Sequence, residues 1–383
     1  MATDGKRYKI VYCTPALYMA GGVERVLTMK ANYFAEVYGY DITIVLTEGK
    51  TKTLFYPLSD RVNVVNLDLN FEELWSSPFL KKVFIYLYKQ HRYKRRLADV
   101  LSAIQPDITV SLLRREVNFI TKLKDGSKKV GELHINRANY RNFSQGSNAF
   151  LNLFSKFWMK SLVRKLQNLD KLVVLTEKDK EAWKELNNVV AIPNPLPISS
   201  VVQSSLTEKR VIAIGRYSYE KGFDHLLKAW SEVQNICQDW RLDVFGDGDR
   251  TIYEQIIDAF QIDRKRCVLH ERTTDVQSEY LGSSIAVCSS RFEGFGLTII
   301  EAMACGVPVV SYNCPWGPGA IISDGNDGVL VENQNVSKLA EGMVTLMTNK
   351  ELLMDLAQNA VKNVRRFKIE QIAHKWKELF ESL

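Results

Sequence analysis

Two glutamates, Glu293 and Glu301, bracket the start of the run Arg291-Phe292-Glu293-Gly294-Phe295-Gly296-Leu297-Thr298-Ile299-Ile300-Glu301-Ala302-Met303-Ala304-Cys305-Gly306-Val307-Pro308-Val309-Val310. Glycines at 294 and 296 let backbone N–H groups approach a ligand with no Cβ in the way. The apolar residues that follow predict a helix over 297–304, ended by Gly306 and followed by a strand. The N-terminus of such a helix offers unpaired donors and partial positive charge to a phosphate. Glu293 falls at the mouth of the loop. Glu301 falls two helical turns on, where a carboxylate can accept two hydroxyl hydrogen bonds from a ribose. This arrangement suits recognition of a phosphate and a ribose together.

Such a loop needs a scaffold of strands that end in loops and helices, and the chain alternates the two throughout. Strands are predicted at 9–13, 41–46, 62–67, 108–112, 129–133 and 172–175, with helical patterns between them. Gly21-Gly22 forms a turn that opens a helix carrying Val23, Val26, Leu27, Ala31 and Phe34 on one face. Ile192-Pro193-Asn194-Pro195-Leu196-Pro197 cannot continue a helix or a central strand and reads as a linker. The alternation then restarts, with strands at 210–214, 241–245, 267–270, 285–288, 307–311 and 328–331. Residues 350–383 read as helical throughout. A chain of 383 residues with this pattern is expected to be an α/β protein of two Rossmann-like domains facing across a cleft.

Composition bounds the function classes. Hydrophobic residues make up 46% and charged residues 25%, and no apolar run approaches the ~18 residues needed to span a bilayer. The six cysteines (Cys13, Cys237, Cys267, Cys288, Cys305 and Cys314) are never spaced as Cys-x-x-Cys. This argues against a zinc ribbon or a disulfide framework and fits a reducing, cytoplasmic compartment. The net charge of +7 is uneven: residues 1–196 hold 31 basic and 19 acidic residues, the remainder 20 and 25.

The Glu-Gly-Phe-Gly-Leu-x-x-x-Glu-Ala-Met-Ala-x-Gly-x-Pro-Val-Val pattern resembles the signature of the retaining glycosyltransferases of GT-B fold, family 4. Gly215-Arg216 with Lys221-Gly222, the turn Phe245-Gly246-Asp247-Gly248, the loop Gly21-Gly22-Val23-Glu24-Arg25 and the linker Ile192-Pro193-Asn194-Pro195 are similar to that family's other elements. The resemblance runs from about residue 9 to residue 331. It implies an acceptor-binding domain over 1–196, a nucleotide-sugar-binding domain over 197–364, and a terminal helix over 365–383 packing back on the first domain. It implies transfer of a sugar from a nucleotide-diphosphate donor, with a lean toward UDP-sugars, to a glycan or lipid-linked acceptor. A further similarity at Gly317-Pro318-Gly319-Ala320 leans toward bacterial surface polysaccharide or lipopolysaccharide synthesis.

Roles follow from the same resemblance. Arg216 and Lys221 neutralise the departing diphosphate, and Glu293 contacts hydroxyls of the transferred sugar. His134, at a strand end, contacts the sugar near the reacting carbon. Gly21, Gly22, Gly215, Gly294, Phe295, Gly296 and Leu297 bind the donor, and Glu301 holds its ribose. Arg272 is a candidate for the base, in a turn where His270-Glu271-Arg272 departs from the family's glycine. No metal and no cofactor are implied. Asp247 and Asp249 have the spacing of a Mg²⁺ pair but lie in the glycine turn. Two other classes stay open: a nucleotide-sugar epimerase or hydrolase on a related scaffold, and a non-catalytic membrane-associated scaffold.

The first half also carries cations interleaved with aromatics. Residues 79–103 contain Lys81, Lys82, Lys89, Arg92, Lys94, Arg95 and Arg96 among Phe84, Ile85, Tyr86, Leu87, Tyr88 and Tyr93. Residues 150–166 add Phe154, Phe157, Trp158 and Met159 beside Lys156, Lys160, Arg164 and Lys165. Helices of this kind lie on anionic membrane faces, which suggests a peripheral position on the inner face of the membrane; the same pattern also fits a solvated charged face. No nucleic-acid-binding motif accompanies the charge.

Overall fold

The computed structural model describes residues 6–76, 78–137, 140, 149–198 and 202–383. The side chains of Phe154 and Lys156 lie outside the described residues. The chain divides into two units: Met1–Pro195 together with Ile369–Leu383, and Leu196–Lys368.

In the first unit the strands are β1 (Lys9–Thr14), β2 (Asp41–Leu46), β3 (Val62–Asn66), β4 (Ile108–Ser111), β5 (Lys128–Glu132), β6 (Lys171–Val174) and β7 (Val189–Ala191). They form one parallel sheet in the order β3-β2-β1-β4-β5-β6-β7. Ile10 to Thr14 of β1 are all buried, as expected for a central parallel strand covered on both faces. The helices are α1 (Gly22–Glu36), α2 (Phe79–Ile104), α3 (Ala149–Gln167) and α4 (Glu177–Ala182). Leu27, Ala31 and Phe34 of α1 pack with Tyr12, Ile42 and Ile44 on one face of the sheet; Tyr93 and Leu97 of α2 pack with Leu162 and Leu166 of α3 in the core on the other. Strand β7, which leads directly into the proline linker, is not foreseen by the sequence pattern.

The second unit repeats the plan with β8 (Arg210–Ile214), β9 (Arg241–Phe245), β10 (Cys267–His270), β11 (Ile285–Cys288), β12 (Val309–Tyr312) and β13 (Val329–Val331), ordered β10-β9-β8-β11-β12-β13 and parallel. Its helices are α5 (Phe223–Ile236), α6 (Thr251–Ala259), α7 (Val276–Leu281), α8 (Leu297–Ala304), the single turn α9 (Pro318–Ile321), α10 (Val336–Thr348) and α11 (Lys350–Val364). In both sheets the strand order reverses beside the first strand, between β1 and β4 and between β8 and β11. Loops that leave the carboxyl ends of strands at such a reversal diverge and leave a crevice, where open α/β sheets bind ligands.

The expectation of unbroken helix over 350–383 is corrected. Helix α11 ends at Val364, Arg365–Phe367 form a tighter turn, and extended backbone at Lys368 separates them from α12 (Ile369–Glu381). The turn stays with the second unit: Phe367 O accepts from Leu196 N at 2.7 Å, and the Phe367 ring meets Phe295 edge-on at 5.4 Å. Helix α12 belongs to the first unit, where Ile372, Ala373, Trp376, Leu379 and Phe380 join the core around α1.

Candidate active site

Strand β8 delivers Gly215 and Arg216, and a short turn over Tyr219–Lys221 then carries Lys221 back across the strand end. The aliphatic stem of Lys221 runs over Gly215, where an added Cβ would sit 3.1 Å from Lys221 Cδ. Gly222 then starts α5 at φ +62°, and a Cβ there would lie 2.2 Å from Ser289 O. Only glycine meets both demands. Lys221 Nζ reaches Glu293 Oε1 at 2.6 Å, and Ser290 Oγ donates to the same oxygen at 2.7 Å. Burial would lower the Lys221 ammonium, but Glu293 outweighs it and holds Lys221 above the usual lysine value. Arg216 is exposed beside this pair, and its charge pulls Lys221 slightly the other way. Two cations and a carboxylate therefore stand at the β8/β11 reversal.

Glu293, Gly294, Phe295 and Gly296 form the loop into α8. Gly296 has φ +112° immediately before the first helical residue, Leu297, a conformation that a side chain would strain. No side chain caps α8, where Ile299 N and Ile300 N bond Gly296 O, and a helix start without a side-chain cap is suited to an anion. α8 spans Leu297–Ala304 as predicted, and Glu301 is buried four residues, or one turn rather than two, inside it. Arg272 is exposed in the turn after β10.

Arg291, Asp224 and Trp316 help hold this site and were given no role from the sequence. Arg291 is buried and forms a two-pronged pair with Asp224, at 2.9 and 2.6 Å. It also donates to Tyr219 O at 2.6 Å and lies over the Tyr219 ring, while its N–H binds Glu220 O. The Lys221 turn is thus tied to the Glu293 loop by one guanidinium. Trp316, at φ 74°, leads into Gly317, where a Cβ would clash with Phe295 O at 2.6 Å and Glu293 Cβ at 2.7 Å. Nothing in residue spacing signals these contacts, since they join segments dozens of positions apart. His270, part-exposed at the end of β10, bonds Asp243 at 2.7 Å and stacks on Phe245 with ring centroids 4.4 Å apart.

In the first unit, Gly21 and Gly22 open α1 at the carboxyl end of β1. A Cβ on Gly21 would fall 1.9 Å from Glu24 Oε2, so the Glu24 carboxylate lies over this N-terminal turn. His134 follows β5 by two residues. Its Nε2 is 3.1 Å from Oε1 of Glu132, the last residue of that strand. The same carboxylate is paired with Lys30 of α1, and all three side chains are at most 7% exposed. Burial pulls the Glu132 carboxyl up, but Lys30 and His134 outweigh it and hold it down at about 2.

Comparison with known proteins gives this geometry a context. Residues 198–363 match the family described as Glycosyl transferases group 1. The chain is 28% identical over 368 residues to an uncharacterized glycosyltransferase of Haemophilus influenzae, covering 94% of this chain and 96% of that one. It is 24% identical over 393 residues to the amylovoran biosynthesis glycosyltransferase AmsD of Erwinia amylovora, covering 97% and 99%. Among solved structures it is similar to a mutant of S. aureus TarM in complex with fondaparinux, α-GlcNAc-glycerol and UDP, with a TM-score of 0.77 at 17% identity over 97% of this chain and 99% of that one. Residues 198–363 therefore match a glycosyl transferases group 1 domain, in a chain with two parallel Rossmann-like sheets similar to those of GT-B glycosyltransferase structures.

Proposed function

We propose that the chain is a retaining, family 4-type hexosyltransferase that moves a sugar from a UDP-sugar to a glycan or lipid-linked acceptor in bacterial surface polysaccharide synthesis. The observation that carries this reading is the Lys221–Glu293 pair at the sheet reversal, with Arg216 beside it and the uncapped N-terminus of α8 next in the chain. As the bond from sugar to diphosphate breaks, negative charge grows on the leaving phosphate. Lys221, Arg216 and the α8 N–H groups are fixed donors and cations of the kind that stabilise it. Glu293 then takes sugar hydroxyls, and Glu301 takes the ribose. The surface-polysaccharide assignment draws on the amylovoran relative, and the UDP donor on the UDP complex of TarM.

The reaction as proposed needs no metal. Asp249, half of the Asp247/Asp249 spacing, is exposed and accepts through Oδ1 from Thr251 N at 2.9 Å and Thr251 Oγ at 2.6 Å at the start of α6. The test is product stereochemistry. With a UDP-sugar and a glycan acceptor, UDP should be released only when acceptor is present, and proton NMR should show an axial anomeric bond retained. Release without acceptor would favour a hydrolase, and an inverted anomer would remove the retaining assignment.

A membrane-facing role for α2 is the second reading. Val83, Phe84, Leu87 and Tyr88 are exposed on its first half, Phe84 by 74%, beside exposed Lys81 and Lys82. Phe157 of α3 is 73% exposed. Apolar side chains on a helix flanked by cations suit an anionic lipid face. Among the described residues no helix is long and apolar enough to cross a membrane.

A further inference from the structure

Both ends of the Lys221–Glu293 pair hang on a third side chain. Arg291 stands two residues before Glu293, and its backbone N–H bonds Glu220 O, the carbonyl just before Lys221, at 2.8 Å. Its Nη1 donates to Tyr219 O and to Asp224 Oδ1, and Nη2 to Asp224 Oδ2, while the guanidinium lies 4.2 Å from the centroid of the Tyr219 ring. Tyr219 and Glu220 precede Lys221, and Asp224 follows it in the first turn of α5, so the lysine is held from both sides. From β11, Ser289 Oγ donates to Lys221 O at 2.9 Å. A planar fork on a carboxylate fixes direction as well as distance, which a lysine ammonium in the same place cannot do. Arg210 offers a comparison within the same unit. It is as buried as Arg291 and is paired with Asp243 at 2.5 Å and Glu279 at 2.7 Å, but it starts β8 and so lies at the strand end away from Lys221.

We propose that Arg291 is a positioning residue: by tying the Tyr219–Asp224 segment to the Glu293 loop, it sets the Lys221 ammonium against the terminal phosphate of a nucleoside diphosphate. The proposal rests on the reading that Lys221 meets the departing diphosphate. It gives the Arg291–Asp224 pair a part in recognising ligand charge, beyond its share of stability.

The test is calorimetric titration with UDP and with UMP, which lacks the terminal phosphate. Arg291→Lys keeps the charge and loses the fork; it should weaken UDP about ten-fold or more and leave UMP nearly unchanged. Arg210→Lys should lower the melting temperature without separating the two ligands. Added to Lys221→Ala, Arg291→Lys should cost no further UDP affinity. The pH dependence should move as well. Burial lowers the Lys221 ammonium and Glu293 outweighs it; Arg216 also lowers it, and Cys288, Glu220 and Cys314 are the other titratable groups that act on it. Loosening the pair with Glu293 lets burial prevail, so UDP binding by Arg291→Lys should fade at lower pH than in wild type. Should Arg291→Lys fail to fold, Asp224→Asn, which removes the carboxylate and keeps the bond to Tyr219 O, is read the same way. Wild-type UDP affinity, equal weakening of UDP and UMP, an unmoved pH dependence, or the same UDP loss in Arg210→Lys overturns the proposal. No UDP binding by wild type, or unchanged UDP affinity in Lys221→Ala, removes the underlying reading instead.

Discussion

Lys221 illustrates how one side chain can be both held and available. Its stem is fixed over Gly215 and its ammonium is paired with Glu293, yet the pair sits at a strand end where a ligand phosphate can join it. Removing a group that meets developing charge in a site of this kind typically costs about 100-fold or more in turnover. Lys221→Ala and Arg216→Ala are each expected to do so with the fold intact, checked by steady-state kinetics alongside circular dichroism. Glu301→Ala should instead weaken donor binding more than it slows bond breaking, measured by titration calorimetry against kcat. The Lys30–Glu132 pair gives a prediction in the other direction. Truncating one partner leaves a buried charge alone, so Lys30→Ala should destabilise the protein by about 3–5 kcal/mol in urea unfolding. The folded-state pKa of Glu132, about 2, lies below its unfolded value. Its contribution is therefore full above about pH 4.3 and fades as pH falls toward about 2, and Glu132→Gln should flatten that part of the acid-stability curve.

The strands and helices explain which parts of the site can be read from sequence and which cannot. The Glu293–Gly306 run reports its loop, helix and stop directly, because glycine and apolar spacing encode local backbone. The strand order that sets Lys221 beside Glu293 follows from parallel βαβ winding, which the alternation of elements also reports. Arg291–Asp224 and the Gly317 contact are tertiary, and no local pattern encodes them. Both ends of α8 were legible, and only the depth of Glu301 was not: counted from Leu297, after Gly296 at φ +112°, it stands one turn in. The break at Lys368 was missed because Arg365 to Ile369 keep a helix-compatible composition while the chain passes from one unit to the other. Gly222 is the most demanding backbone position. Gly222→Ala should shift Ser289 or the start of α5 and lower both melting temperature and activity, whereas alanine at Gly325, where nothing lies within 4 Å, adds only the strain of its φ of +70°. Trp376→Ala in α12 removes a fully buried ring from the core around α1 and should cost about 3–5 kcal/mol.

Across the whole molecule the charge is partitioned, with the excess of basic residues entirely in the first half of the chain. If α2 meets lipid, the protein should sediment with anionic vesicles at low salt, release as salt rises, and lose binding in Phe84→Glu/Leu87→Glu. Equal binding to neutral vesicles would remove the electrostatic part of that reading. The central claim is narrower: the second unit binds a nucleotide sugar through its own cations and helix end. Its most direct test is a thermal-shift screen of UDP-, GDP-, ADP- and dTDP-sugars, each with and without EDTA, on wild type and Glu301→Ala. Stabilisation of wild type by UDP-sugars, unchanged by EDTA and weakened in Glu301→Ala, is the predicted result. Stabilisation that EDTA abolishes, or that Glu301→Ala leaves intact, would contradict the account.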